Sequence, residues 1–123
     1  MSPRRRRNRP VLLPNADVAV IEPAKLHGYL LSSEHPIGRF KARFFTALGF
    51  SATRWAELET AFRLQHLTRD ATPAESGRHG QAYEIRAILT GPGGSSAPVI
   101  SVWFVRVGEQ YPRFVTAYPG GPE

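Results

Sequence analysis

The spacing of apolar residues changes at Gly80, and that change limits the folds open to this chain. Before it, apolar side chains recur every three or four residues; after it, they recur every second one. A chain that places its helices first and its strands afterwards has no strand-helix-strand units from which to build a parallel sheet, so the expected class is α+β. With 123 residues there is room for one core. The expected architecture is an N-terminal short strand and three helices packed on a C-terminal antiparallel β-meander. It forms a single domain over residues 11–119, preceded by an arm over 1–10 and followed by a flexible tail over 120–123.

The helical half divides at its punctuation. Asp17-Val-Ala-Val-Ile21 has the β-branched content of a brief strand. Glu22-Pro23 suits a helix start, since proline at the first helical position gives up no hydrogen bond. That helix is expected to run to about Leu31, with Leu26, Tyr29 and Leu30 on one face. A second helix, from about Gly38 to Leu48, places Phe40, Phe44, Ala47 and Leu48 at helical spacing, with Gly49 as C-cap and Phe50 folding back onto the last turn. A third, from about Arg54 to Thr68, carries the stripe Trp55, Leu58 and Phe62.

Asp70 to Gly80 is polar and rich in turn formers, so it reads as an exposed loop. Tyr83, Ile85, Ala87 and Leu89 then alternate with other residues as in a strand. Gly91 to Ser96 turns the chain into Val99 to Val107, which is apolar on both parities and so reads as a central strand covered on both faces. Arg113 to Tyr118 is the third and last strand of the meander. The Gly-rich turn lacks the Gly-Lys-Ser/Thr ending of a phosphate loop and joins two strands, which makes it a hairpin.

Composition removes several chemistries. Without cysteine there is no disulfide scaffold, thiolate nucleophile or cysteine zinc site. His27, His35, His66 and His79 form no i, i+4 pair and no ligand spacing, so no metal and no cofactor is expected. No Gly-x-Ser-x-Gly elbow is present. No apolar run can span a bilayer, and Val11-Leu12-Leu13 is too short for a signal-peptide core, so no membrane association and no Sec export are expected. The expected location is the cytoplasm, either of the producing cell or of a cell into which the protein is delivered.

The formal charge of +6 points toward polyanionic partners. Five of the sixteen basic residues lie in the arm before Pro10, however, leaving eleven against ten acids. The informative charge is therefore local. From His35 to Phe45 the chain reads His-Pro-Ile-Gly-Arg-Phe-Lys-Ala-Arg-Phe-Phe, and no acid occurs between Glu34 and Glu57. Arg39, Lys41 and Arg43 at the start of a helix oppose its dipole, an arrangement that favours a bound anion. A solvated basic face with His35 as a cap is the bland alternative. Lysine occurs only at Lys25 and Lys41, against fourteen arginines. On the terminal strand Thr116 and Tyr118 share a face, whereas Arg113 falls on the other unless a bulge intervenes.

Leu13-Pro-Asn-Ala-Asp17, Lys25-Leu-His-Gly-Tyr-Leu-Leu31, His35-Pro-x-Gly-x-x-Lys-Ala-x-Phe-Phe45, Leu48-Gly49, Gly80-x-x-Tyr83 and Arg113-Phe-Val-Thr-Ala-Tyr118 together resemble a bacterial and phage domain family. That family looks like the terminal toxin domain of phage head-morphogenesis-type polymorphic toxins, and like small stand-alone proteins encoded beside an antitoxin. The layout is also similar, more distantly, to the barnase, EndoU, colicin and RelE group of ribonucleases. The resemblance implies a metal-independent endoribonuclease whose partners are RNA and a cognate antitoxin or immunity protein. On that reading His35, Lys41, Arg113, Thr116 and Tyr118 form the catalytic set: His35 as acid or base, Lys41 and Arg113 on the phosphate, Thr116 and Tyr118 as hydroxyl donors. Arg39, Arg43 and Tyr83 bind substrate. The alternative is a non-catalytic nucleic-acid- or protein-binding module that uses the same basic helix.

Overall fold

A computed structural model of the chain describes residues 11–120; the arginine arm and the last three residues of the expected tail lie outside them. Leu13 is buried, and Asn15, in the left-handed conformation at φ 55°, opens a 3-10 turn over Ala16–Val18. The expected strand at Asp17–Ile21 is thereby reduced to one residue. Val20 makes a single parallel bridge to Arg113, with its N–H donating to the Pro112 carbonyl and its own carbonyl accepting from Phe114. Ala19 and Ile21 on either side enter the core.

Helix α1 begins at Pro23 and is regular only over Pro23–Lys25, after which Leu26–Leu30 forms a wider π turn. The Leu31 N–H reaches back five residues to the Leu26 carbonyl. Leu26 and Leu30 are fully buried and Tyr29 half so. Such turns insert one residue into a helix and re-aim the side chains around it.

Helix α2 spans Gly38–Ala47. Its start lies against the π turn: a Cβ on Gly38 would run into the Tyr29 carbonyl, so only glycine allows the approach. Its end is the expected glycine cap. Gly49 has φ 104°, its N–H donates to Thr46, and the N–H of buried Phe50 donates to Phe45, closing a Schellman turn. Of the four residues expected on the buried face of α2, Leu48 alone is buried. Ala42 and Phe45 are buried, Phe44 only half so, and Phe40 is 66% exposed. Three phenylalanines lie within six residues, and which of them enters the core depends on how the helix is rotated by its contact at Gly38.

Helix α3 spans Trp55–Gln65, after a 3-10 turn at Ala52–Arg54. Leu58, Ala61 and Phe62 are buried. It stops short of the expected Thr68 because His66 and Leu67 turn inward, both N–H groups bonding to the Phe62 carbonyl.

Four strands form one antiparallel sheet in the order β1-β2-β3-β4: Thr72–Gly77, Gly80–Thr90, Ser96–Arg106 and Arg113–Pro119. The first corrects the expected loop at Asp70–Gly80. Every residue of β1 is exposed, so no apolar alternation marks it in the sequence; backbone pairing with β2 alone makes it a strand. The central strand β3 is also less covered than expected. Val99, Ser101 and Trp103 face the helices, with Trp103 against Phe114 and Phe114 against Phe62 of α3. On its other face Ile100 is buried, close to Gly120, but Val102 and Phe104 are only half covered.

Candidate functional site: a lysine–tyrosine–threonine cluster beside β4

The edge strand β4 contains a bulge. Val102 pairs with Thr116 but Trp103 pairs with Phe114, which leaves Val115 as an extra residue. Arg113, Thr116 and Tyr118 consequently oppose Phe104, Val102 and Ile100, three residues of one parity on β3. The parity conflict read from the sequence is resolved by this one inserted residue, and all three side chains lie on one face.

Helix α2 delivers Lys41 to this strand. Lys41 Nζ donates to Thr116 Oγ1 at 2.6 Å and lies 5.7 Å from the ring centre of Tyr118. The same ammonium lies 5.3 Å from the ring centre of Tyr29, and Lys25 lies 5.8 Å from it. Both lysines of the chain thus flank one tyrosine, whose hydroxyl is 3.1 Å from Thr116 Oγ1. Because the threonine oxygen accepts from Lys41, its single hydrogen is available to Tyr29 Oη. Burial raises the Tyr29 phenol, but hydrogen bonds from Lys41 and Thr116 and the charges of Lys41 and Lys25 outweigh it. The phenol is therefore held below its ordinary value.

His35 joins the cluster through its ring, edge-on to Tyr29 with centroids 5.0 Å apart. Its Nδ1 accepts the N–H groups of Ile37 and Gly38, each at 3.0 Å, and so caps α2. Two donors on Nδ1 require the proton of the neutral ring to be on Nε2. His35 is therefore arranged to donate a hydrogen bond, and its use as a base would sacrifice the cap.

The remaining expected site residues do not join. Arg113 makes a bidentate pair with Glu109 at 3.0 and 3.1 Å, supported by the Tyr111 hydroxyl at 3.2 Å and by Glu22 at 3.9 Å. The hydrogen bond from Arg113 holds the Glu109 carboxyl below its usual range, and the pairing raises the arginine. Arg113 is thus placed on the right face but engaged elsewhere. Arg39 and Arg43 lie about 160° from Lys41 around α2, at about 100° per residue, and so point away from Thr116. Tyr83, on β2 opposite Pro73 and Trp103, packs against the core. Sequence reasoning missed Tyr29, which its spacing with Leu26 and Leu30 marks only as core. The signal was available in Lys25, one of two lysines and i−4 to that tyrosine.

Most described arginines outside α1 and α2 are ion-paired, Arg69 and Arg78 being the exceptions. Arg54, Arg63, Arg86, Arg106 and Arg113 each have a carboxylate within 4 Å, whereas among the described residues Lys25, Arg39, Lys41 and Arg43 on α1 and α2 have none. The described residues also hold no group of three or more His, Asp or Glu side chains placed to bind a metal ion. None of the described helices is long and apolar enough to cross a membrane.

The fold and site together define a class: an α+β domain in which two short helices set an uncompensated cationic cluster against the hydroxyls of an edge strand. Residues 12–121 match the family described as "Domain of unknown function (DUF6883)", and the chain belongs to that family. No curated protein and no solved structure matches it.

Proposed function

We propose that this protein is a toxin-type, metal-independent endoribonuclease acting at the Tyr29–Lys41–Thr116 cluster. The observation that supports it best is the convergence of both lysines on Tyr29, with Lys41 also bonded to Thr116 and neither lysine paired with a carboxylate among the described residues. Cleavage of RNA without a metal needs a base for the 2′-hydroxyl, donors for the charge that develops on phosphate, and a proton for the leaving oxygen. Tyr29, as phenolate, takes the 2′ proton while the 2′ oxygen attacks phosphorus. The bond from phosphorus to the 5′ oxygen breaks, and the Lys41 ammonium supplies the proton for that oxygen. The products are a 2′,3′-cyclic phosphate and a 5′-hydroxyl. Tyr118 and the Nε2–H of His35 donate to the phosphate oxygens, while the single Thr116 hydroxyl hydrogen stays directed at Tyr29 Oη. On this reading an antitoxin or immunity protein covers the cluster with acidic side chains.

Incubation of the purified full chain with RNA in the presence of EDTA tests the reading. It expects cyclic-phosphate ends, and growth arrest when the protein is induced in a bacterial host, both lost in Lys41→Ala. RNA that stays intact across the pH range would overturn it. The second reading, a non-catalytic nucleic-acid-binding module, is favoured by the commitment of His35 Nδ1 to capping and of Arg113 to Glu109. It expects RNA to be bound by the wild type and left uncut.

A further inference from the structure

The face of α2 turned away from Lys41 carries a second constellation. Phe40 stands 66% exposed, an unusual position for a large apolar side chain on an otherwise amphipathic helix. The Arg39 guanidinium lies over its ring, 4.8 Å from the centre. A cavity of about 410 Å³, within the size range of small-ligand sites, opens between Phe40, Leu31 and Ala42, with Arg39 and Arg43 on its border and the Ser33 hydroxyl beside it. Neither arginine has a carboxylate partner among the described residues. Aromatic and cationic groups alternating along a groove are what single-stranded nucleic acid uses: a base stacks on the ring while phosphates meet the arginines. An acidic peptide would satisfy the arginines but would leave the exposed aromatic face unused.

From these groups we infer that Phe40, Arg39 and Arg43 form a base-stacking subsite for single-stranded RNA on the outer face of α2, separate from the Lys41 cluster. The choice of RNA as ligand rests on the ribonuclease reading above, but binding here does not require cleavage. Stacking on Phe40 holds one nucleotide against the helix, and the two arginines fix the phosphates on either side of it. Lys41, projecting from the opposite face of the same helix, is then offered a nucleotide further along the strand.

A short single-stranded oligoribonucleotide with 2′-O-methyl groups tests this, because the blocked 2′ oxygen prevents cleavage and isolates binding. Phe40→Ala is expected to weaken binding by about tenfold or more, the usual effect of losing one stacked base. At so exposed a position it leaves the fold intact, as an unchanged circular dichroism spectrum and melting temperature would verify. Phe40→Trp is expected to retain affinity, with its added fluorescence quenched on binding. Arg39→Ala with Arg43→Ala is expected to flatten the salt dependence. Unchanged affinity in Phe40→Ala overturns the subsite. So does binding of poly-glutamate, sensitive to Phe40→Ala, where the oligoribonucleotide shows none. If Phe40→Ala weakens binding but the wild type never cuts the unmodified oligonucleotide, the subsite stands and the ribonuclease reading falls.

Discussion

At the scale of single residues, two titratable groups report on different things. Tyr29 is held below its ordinary phenol value by the lysines beside it, so cleavage that depends on its phenolate should rise with pH toward that lowered value. Tyr29→Phe is expected to reduce the rate by about a hundredfold or more, within the usual range for a general base, and to remove that rise. A pH–rate profile showing the same slope in both proteins would exclude Tyr29 as the base. His66 belongs to the core. Its Nδ1 is 2.7 Å from Ser101 Oγ, which also accepts from Trp103 Nε1, and its Nε2 has no hydrogen-bond partner. Burial pushes it down to about 4, the charge of Arg69 adds to that, and the Ala87 carbonyl, outside hydrogen-bonding geometry, acts in the opposite direction. The unfolded chain takes up this proton near the ordinary value of 6.5, so the contribution is full above that pH and is lost as pH falls toward 4. The total is of order 3 kcal/mol. Urea titrations at several pH values should show this decline in the wild type and a shallower one in His66→Gln, which keeps a polar group for Ser101 but does not titrate.

At the scale of elements, the contact between α2 and the π turn decides the site. Gly38→Ala places a methyl group against the Tyr29 carbonyl and is expected to destabilise by about 1–3 kcal/mol, as overpacking does. Because the same contact sets Lys41 beside Thr116, activity should fall further than the loss of folded protein explains; calorimetry and kinetics on the folded fraction would separate the two. The helices were legible because their punctuation is local: Pro23, Gly49 and the Leu58–Phe62 spacing each act within a few residues. Strand β1 was not, because its six residues are all exposed and only the partner strand makes them a strand. The rotation of α2 was not legible either. Spacing groups Phe40 and Phe44 with Ala47 and Leu48, whereas packing at Gly38 turns Phe45 into the core instead.

At the scale of the whole molecule, charge divides into three regions: an arginine arm, a nearly neutral domain, and within it the unpaired cations of α1 and α2. Deleting residues 1–9 is expected to lower nonspecific, salt-sensitive RNA affinity while leaving the rate at saturating substrate within about twofold, since phosphate contacts of this kind add affinity without chemistry. Loss of turnover in the shortened protein, measured with cyclic-phosphate ends as the readout, would place the site in the arm. What the sequence by itself determined is the order of helices before strands, the single core, the glycine cap at Gly49 and the acid-free stretch around Lys41, because propensity, periodicity and local charge act over a few residues. Tertiary structure alone decided that Val115 bulges to bring Arg113, Thr116 and Tyr118 to one face and that Lys41 of α2 meets both Tyr29 and Thr116. These are contacts between residues as much as 87 positions apart, set by packing and strand register, to which neither spacing nor composition is sensitive.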